Sequence, residues 1–452
     1  VAVEPRIKAA VVMAGVSTYQ QSYVYKPPEH CFCNYYPSIL RHINIADMLS
    51  VAAPDMYMFV VSGCLDNIFP VQGARETARL TKAVYQLYGA ESKFQNYFDP
   101  DGRHPATDRQ IEMFVKFFMQ TLNPENKDFS IPEYDMIPPE TLNVGYPSKF
   151  KTGLEFCYEE SKKLQFPKPH DVKEWETYKE NLKNNITSEI FGGYPELLPL
   201  SALDFGNVQK EGYSIQKISI LSENGLRLPI VLLIPDNGPA QKTADVLIFR
   251  EGKIKAAKSN LAKKLLSLGH IVIAPDLRGI GEQAPLPGGK LKTERNYQEY
   301  MLATSAMLIG RPLLAMRVHD LNRIMEYIST RSDIDKSDVN LYSSNLMGHI
   351  ALFAAALDSR WASVSMQNLT TSFTPAKLNQ SAFPMDFYLP NIMDFADIPQ
   401  IAGMIAPREL SISSGFTTEG LPVKGTPLAK KFRQTSYIYN LYDAGDKLVI
   451  KE

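Results

Sequence analysis

Short apolar runs alternate with amphipathic stretches through the second half of the chain. The run Val246–Phe249 has the pattern of a buried strand, and Ser259–Leu268 has helical spacing that stops at Gly269. The same reading predicts two more strands and three more helices: His270–Ala274, Val339–Ser343, Tyr297–Ile309, Arg317–Ser329 and Gly348–Leu357. Buried strands that alternate with helices predict an α/β fold with a mostly parallel, doubly wound sheet.

Two further signals precede this region. Apolar residues at helical spacing predict an amphipathic helix: Trp175, Tyr178, Leu182 and Ile186. The segments Ile215–Leu221 and Leu228–Ile234 flank the turn dipeptide Asn224-Gly225, which predicts a β-hairpin. Three strands are predicted near the start of the chain: Ala9–Ala14, Met56–Ser62 and Lys93–Phe98.

The sequence repeats itself over a distance of about 353 residues. Five landmarks recur in the same order at shifts of 352 to 354: Glu4–Ile7 with Asp358–Trp361, Tyr36–Ile39 with Leu389–Ile392, Ala53-Pro54 with Ala406-Pro407, Ser62-Gly63 with Ser414-Gly415, and Pro70–Gly73 with Pro422–Gly425. This period is far longer than a solenoid unit and predicts tandem copies of one large domain. The alternative is one irregular large domain with accidental matches.

We therefore predict three regions. Residues 1–122 are the last part of copy one, residues 123–167 are a Pro-rich linker, and residues 168–452 are copy two. The first copy is incomplete, and the two copies are expected to pack together.

Composition excludes several functions. Lys and Arg total 48 against 49 Asp and Glu, a formal net charge of -1, so the basic surface of a nucleic-acid-binding protein is not expected. The longest apolar runs fall short of the ~20 residues of a membrane span. His30, Cys31 and Cys33 have no second Cys/His pair at zinc spacing, so we predict no metal and no cofactor.

Two residues of copy one are candidates for a catalytic acid and base. Asp66 follows the strand Met56–Ser62, and His104 follows the strand Lys93–Phe98. In a serine hydrolase of α/β type the nucleophile, the acid and the histidine follow different strands in this order. Asp66 could instead cap its loop, and His104 could be an ordinary surface residue. By the repeat, the nucleophile of copy one lies about nine positions before Val1.

Copy two departs from the catalytic pattern at all three positions. Its nucleophile position holds Asn345, or Leu346 if the frame slips by one, and neither side chain can attack a carbonyl. Ser343 or Ser344 could act only if the turn were shifted.

The acid and histidine positions of copy two also differ. The acid position holds Thr418, next to Glu419 as a weak substitute, and the histidine position falls beyond Glu452. Arg250-Glu251-Gly252 follows a strand where an oxyanion-hole segment belongs. We expect copy two to be degenerate.

The order of motifs resembles that of bacterial α/β-hydrolases of the acetyl xylan esterase and dienelactone hydrolase type. The motifs are Glu29–Pro37, Ala46–Met48, Ala52–Pro54 and the Asp66 loop in copy one, and Ala274–Glu282 and Gly310–Pro312 in copy two. The resemblance implies ester hydrolysis by a Ser-His-Asp triad, with Asp66 as the orienting acid and His104 as the general base. It further implies a small-molecule or polysaccharide ester as substrate and a periplasmic or secreted protein.

Two other functions stay open at this stage. A non-catalytic binding or scaffolding protein, for instance for carbohydrate, would explain why no complete triad is visible. A prolyl-peptidase-like hydrolase is disfavoured because the sequence has no propeller-like strand repeat.

Overall fold

A computed structural model describes residues 3–25, 34–125, 135, 137–143, 145, 151, 153–161, 167–284, 295–374 and 384–451. The chain divides into two compact units. Unit 1 comprises Val1–Lys149 together with Met307–Gly310, and unit 2 comprises Phe150–Ala306 and Arg311–Glu452. The boundary at Lys149 lies inside the segment 123–167 that the sequence indicates as a linker.

Unit 1 contains a parallel three-stranded sheet with helices on both faces. Its strands, in the order β1-β2-β3, are β1 (Ala9–Met13), β2 (Tyr57–Gly63) and β3 (Phe94–Asp99). Its helices are α1 (Ile45–Ser50), α2 (Val71–Leu87) and α3 (Asp108–Leu122). Successive residues of β2 point to opposite faces, so Val60 packs in one core with Tyr85 of α2, and Val61 packs in another with Phe117 of α3.

Unit 2 contains a ten-stranded sheet. Its helices are α4 (Gly153–Ser161), α5 (Val172–Asn185), α6 (Lys253–Ala257), α7 (Asn260–Ser267), α8 (Arg295–Leu308, whose last two residues belong to unit 1), α9 (Leu313–Thr330), α10 (Gly348–Leu357), α11 (Ile398–Gly403), α12 (Gly425–Lys431) and α13 (Arg433–Leu441). Its strands are β4 (Leu203–Lys210), β5 (Tyr213–Glu223), β6 (Leu226–Pro235), β7 (Lys242–Ile248), β8 (Ile271–Pro275), β9 (Ile334–Ser343), β10 (Ser363–Thr370), β11 (Glu409–Phe416), β12 (Pro422–Val423) and β13 (Leu448–Lys451).

The strands of unit 2 lie in the order β12-β11-β10-β9-β7-β8-β6-β5-β4, and β13 pairs with β11. The central strands are parallel, whereas β4, β5, β6 and β12 pair antiparallel with their neighbours. In β7, Val246 packs with helix α9 and its neighbour Leu247 packs with α7, so both faces of the sheet are covered. The predicted α/β sheet is confirmed.

The structure contains elements that the sequence did not predict, among them the strands β10 to β13, the edge strand β4 and the helix α4. The hairpin around Asn224-Gly225 forms as β5 and β6, but a further strand, β4, lies beside it at the sheet edge. Every residue of β4 is exposed, and a bulge near Gly206 breaks its alternation, so no periodic pattern marks it. Helix α4 lies inside the predicted linker. It was not predicted because the prolines on both sides indicate an extended chain.

The strand pairing of unit 1 recurs inside unit 2. Strands β1, β2 and β3 of unit 1 have the same relative registers as β10, β11 and β13 of unit 2. Ala9 pairs with Tyr57 in unit 1, as Ser363 pairs with Glu409 in unit 2. Likewise Met58 pairs with Phe94 in unit 1, as Leu410 pairs with Leu448 in unit 2. A register is set by side-chain packing on both faces. The pairings of β1 with β2 and of β10 with β11 follow the spacing of the sequence landmarks Ser62-Gly63 and Ser414-Gly415.

Local turns repeat as well. A single turn of 3₁₀-helix begins after Ser38, with φ 64° and ψ 5°, and another begins after Asn391, with φ 64° and ψ 6°. The next helix in each unit has a reciprocal side-chain cap, from Asn44 in unit 1 and from Asp397 in unit 2.

No single helix in the described part of the chain is long and apolar enough to cross a membrane, although the bent pair Tyr300–Leu308 and Leu313–Thr330 passes by length and composition when combined.

Candidate active site

The structure brings Asp66 and His104 together at the carboxyl edge of the sheet in unit 1. Asp66 follows β2 and His104 follows β3, and these two strands are parallel neighbours. The carboxyl ends of parallel strands meet at one edge, which is where ligands bind in open α/β sheets. The Nδ1 atom of His104 lies 3.3 Å from Oδ2 of Asp66.

The carboxylate of Asp66 is held in a fixed orientation. Its side chain is fully buried, and Oδ1 accepts hydrogen bonds from the backbone N–H groups of Ile68 at 2.8 Å and Phe69 at 2.9 Å. With Oδ1 occupied, the other oxygen is directed to His104. The ring of Phe69 is stacked on the imidazole, with centroids 5.8 Å apart and planes inclined by 20°.

The ring of His104 contacts Asp66 on one side and is partly exposed to solvent. Because Asp66 accepts at Nδ1, the neutral imidazole carries its proton on Nδ1 and keeps the lone pair of Nε2 available. The side chain is 39% exposed, so a reactant can approach it from solvent. The arrangement can therefore orient an imidazole and balance the charge that it gains on taking up a proton.

In unit 2 the backbone turn at the nucleophile position is present. Strand β9 ends at Ser343, the turn Asn345–Met347 follows, and α10 starts at Gly348. The side chain of Asn345 lies outside the described part of the structure. The hydroxyl of Ser343 is buried and has no hydrogen-bond partner among the described residues.

The acid position of unit 2 holds no carboxylate. Gly63 ends β2 and its equivalent Gly415 lies near the end of β11, so the three residues that lead to Asp66 lead to Thr418 in unit 2. Thr418 is buried, and within the described residues its hydroxyl has no hydrogen-bond partner. Glu419 beside it is half-buried.

A buried ion cluster, which the sequence did not indicate, lies at the carboxyl edge of unit 2. Oδ2 of Asp386 is 2.6 Å from Nη1 of Arg317 on α9 and 3.3 Å from Nη1 of Arg250. Arg250 also lies over the ring of Phe387. Arg250 is two residues past β7, and Asp386 comes from the connection between β10 and β11, so no local pattern relates them.

His349 completes this region. It is fully buried on α10 and packs against Phe387, with ring centroids 5.2 Å apart. Its Nδ1–H donates to the carbonyl of Leu346 at 3.0 Å. Burial lowers the pKa of His349 to about 4, although the Leu346 carbonyl and the charge of Asp386 oppose that shift. The imidazole is therefore neutral at pH 7.

Within the described residues no three His, Cys, Asp or Glu side chains come together as the ligands of a metal ion would. The residues His30, Cys31 and Cys33, which the sequence analysis considered for a metal site, lie outside the described residues.

Comparisons with known proteins give relatives by sequence and by structure. No protein-family model matches the chain. The Bacillus subtilis protein named "Putative hydrolase YtaP" is 24% identical over 183 residues, which are 40% of this chain and 58% of that protein. The chain thus spans less than two thirds of the length of this relative.

The structure is similar to the crystal structure of a "putative acetyl xylan esterase" from Bacteroides fragilis, with a TM-score of 0.56 at 15% identity, over 69% of this chain and 84% of that one. A glucuronoyl esterase from Teredinibacter turnerae matches at a TM-score of 0.44 and 16% identity, over 60% and 74% of the two chains, too low to support an argument. The α/β fold expected from the motifs is confirmed, since it is similar to the fold of that structure.

Proposed function

We propose that this protein is a carboxylic ester hydrolase that uses a Ser-His-Asp triad. Asp66 is its orienting acid and His104 its general base. The observation that carries the proposal is the contact between the buried Asp66 carboxylate and the half-exposed His104, with two backbone amides fixing the carboxylate from the other side. This arrangement is what a triad needs behind its nucleophile.

The reaction follows from these positions. Nε2 of His104 takes the proton of the serine hydroxyl while the serine oxygen bonds to the acyl carbon. The imidazolium then gives that proton to the departing alcohol as the ester bond breaks. Water repeats the sequence on the acyl-enzyme and releases the carboxylic acid. Asp66 keeps the ring in one tautomer and balances the positive charge on His104 in each half of the reaction.

We further propose that the protein holds two tandem copies of the domain and that copy two is not catalytic. The equal strand registers and turn geometries of the two units support this origin. At a shift of 354, the position equivalent to Asn345 precedes Val1 by about nine residues. We propose this position for the serine of the triad.

The substrate class that we propose is an acyl ester on a polysaccharide or a small molecule. The name of the similar Bacteroides fragilis structure, an acetyl xylan esterase, supports the acetyl group and the carbohydrate. The balanced charge of the chain still argues against nucleic acid as a partner. Packing of the two copies against each other and a periplasmic or secreted location stay predictions.

The test uses the complete protein with its upstream segment. His104→Ala should lower kcat for p-nitrophenyl acetate by at least about 10³-fold, because the base is lost. His42→Ala replaces an exposed histidine of the same unit and should leave the rate unchanged. Equal turnover by the His104 variant and the unmodified protein would reject the assignment.

The second candidate is a non-catalytic protein that binds carbohydrate. The replacement of both Asp66 and the nucleophile by Thr418 and Asn345 in unit 2 favours it for that unit. The residue about nine positions before Val1 discriminates. A serine in a Gly-x-Ser-x-Gly turn favours the enzyme, and an inert residue there favours binding alone.

A further inference from the structure

We propose that Asp99 is a positioning residue that holds His104 in front of Asp66. The inference rests on the proposed function, since it concerns the placement of the base. Asp99 is the last residue of β3, it pairs with Gly63 across the sheet, and its side chain is 3% exposed. It therefore lies at the junction between the sheet and the loop that carries His104.

The carboxylate of Asp99 holds the two ends of that loop. Oδ2 accepts a hydrogen bond from the hydroxyl of Thr107 at 2.7 Å, and Oδ1 accepts one from the backbone N–H of Asp101 at 3.3 Å. His104 lies between Asp101 and Thr107 in the sequence. The Asp99 carboxylate therefore bridges the two ends of the loop that carries His104. A buried carboxylate with such donors is stable, because hydrogen bonds offset its desolvation.

Thr107 also connects the Asp99 carboxylate to helix α3. Its hydroxyl accepts from the backbone N–H of Gln110 at 3.2 Å, and the side-chain oxygen of Gln110 accepts from the N–H of Thr107 at 3.3 Å. This reciprocal cap fixes the first turn of α3, and Phe117 of that helix is buried against β2. The loop is thus attached to a strand at one end and to a helix at the other, and both are packed in the core.

The backbone of Asp99 also holds the loop of the acid. Its carbonyl accepts from the N–H of Cys64 at 2.8 Å, and the N–H of Leu65 donates to the carbonyl of Gly102 at 2.9 Å. Where the loops cross, a Cβ on Gly63 would lie only 2.3 Å from that same carbonyl oxygen, so glycine is required there. One residue therefore connects both loops and sets the distance between acid and base.

The experiment measures kcat and KM separately in the complete protein. Asp99→Ala should lower kcat for p-nitrophenyl acetate about 10²-fold per folded molecule and leave KM within about twofold, because a displacement of the base of about 1 Å has this cost. Asp99→Asn keeps one oxygen that can accept from Thr107, so it should recover part of the rate. Asp55→Asn, at an exposed aspartate of the same unit, is the matched control and should leave kcat unchanged.

Hydrogen exchange of the β2 amides reports whether unit 1 of each variant is folded. A fall in folded fraction with unchanged kcat per folded molecule would make Asp99 a structural residue only and would overturn the inference. Should Asp99→Ala fail to fold, Asp99→Asn decides alone: a lowered kcat at unchanged KM supports positioning, and an unchanged kcat overturns it. Activity that survives His104→Ala refutes the proposed function instead, so the two failures are distinct.

Discussion

Unit 1 and the last part of unit 2 share a backbone design but differ in the residues at its functional edge. The pairing of β1 with β2 has the same register as that of β10 with β11, and both units cap the helix before the second strand in the same way. In unit 1 the loop after that strand places Asp66 3.3 Å from a histidine. In unit 2 the equivalent position is Thr418.

In both units buried side chains hold the strands, and the residues that differ lie in the loop after the second strand. Side chains that the two strands bury hold their registers, among them Val60 in β2 and Ile412 in β11. The side chain of Asp66 contacts its own loop and His104. Unit 2 has a buried ion cluster around Asp386 at the edge of its own sheet.

The strongest test of the comparison makes the same substitution, to asparagine, at the corresponding position of each unit. Asp66→Asn should lower kcat for p-nitrophenyl acetate by about 10⁴-fold in the complete protein, since the amide can favour the wrong tautomer of His104. Thr418→Asn makes the matching change in unit 2 and should leave kcat unchanged. Steady-state kinetics of both variants check this, and a comparable loss in the Thr418 variant would contradict the division of roles.

The sequence allowed much of unit 1 to be predicted because its information is local or periodic. The repeat gave the equivalent positions, and the rule that functional loops follow strands picked out Asp66 and His104. The structure brings those two within contact distance. The assignment of their roles stays a prediction until the variants are measured.

Other features could not be predicted because they join distant segments. Asp386 meets Arg317 across 69 residues, from a loop that has no periodic pattern. Strand β4 is exposed on both faces, so no alternation distinguishes it from a loop. Asp99 did carry one usable signal, a carboxylate at the end of a predicted strand five residues before His104, but its partner Thr107 became evident only in the structure.

A second test uses the buried histidine of unit 2. The pKa of His349 is about 4 in the folded protein against 6.5 for a free side chain, so the native state binds fewer protons between these values. Its contribution to stability is complete above pH 6.5 and is lost as the pH falls towards 4. The free energy of unfolding of unit 2 should therefore fall by about 2 kcal/mol between pH 7 and pH 5.

Tryptophan fluorescence measures this unit alone. Both tryptophans of the chain, Trp175 and Trp361, are buried in the core of unit 2. His349→Phe should reduce the pH dependence of the denaturant midpoint, and His42→Gln, an exposed histidine of unit 1, should leave it unchanged. Burial also lowers the pKa of His319, so part of the slope remains in the variant. An unaltered slope in His349→Phe would show that the buried imidazole does not govern it.

The prediction with the smallest expected effect tests a feature that the two units share. The hydroxyl of Tyr85 donates to the carbonyl of Met56 at 2.9 Å, and the hydroxyl of Tyr439 donates to the carbonyl of Arg408 at 2.8 Å. Each tyrosine is fully buried behind the second strand of its set. Burial raises the pKa of Tyr85 to about 12 and that of Tyr439 beyond the usual range, so both stay protonated donors at neutral pH.

Tyr85→Phe and Tyr439→Phe should each lower the stability of their own unit by about 1 kcal/mol, since each leaves one buried carbonyl without its donor. Hydrogen exchange read by mass spectrometry separates the effects, because the amides of β2 report on unit 1 and those of β11 report on unit 2. If the units descend from one domain, the two losses agree within a few tenths of a kcal/mol and neither variant alters exchange in the other unit. A large loss in one unit and none in the other would mean that the shared bond is a coincidence of geometry and not an inherited part of the fold.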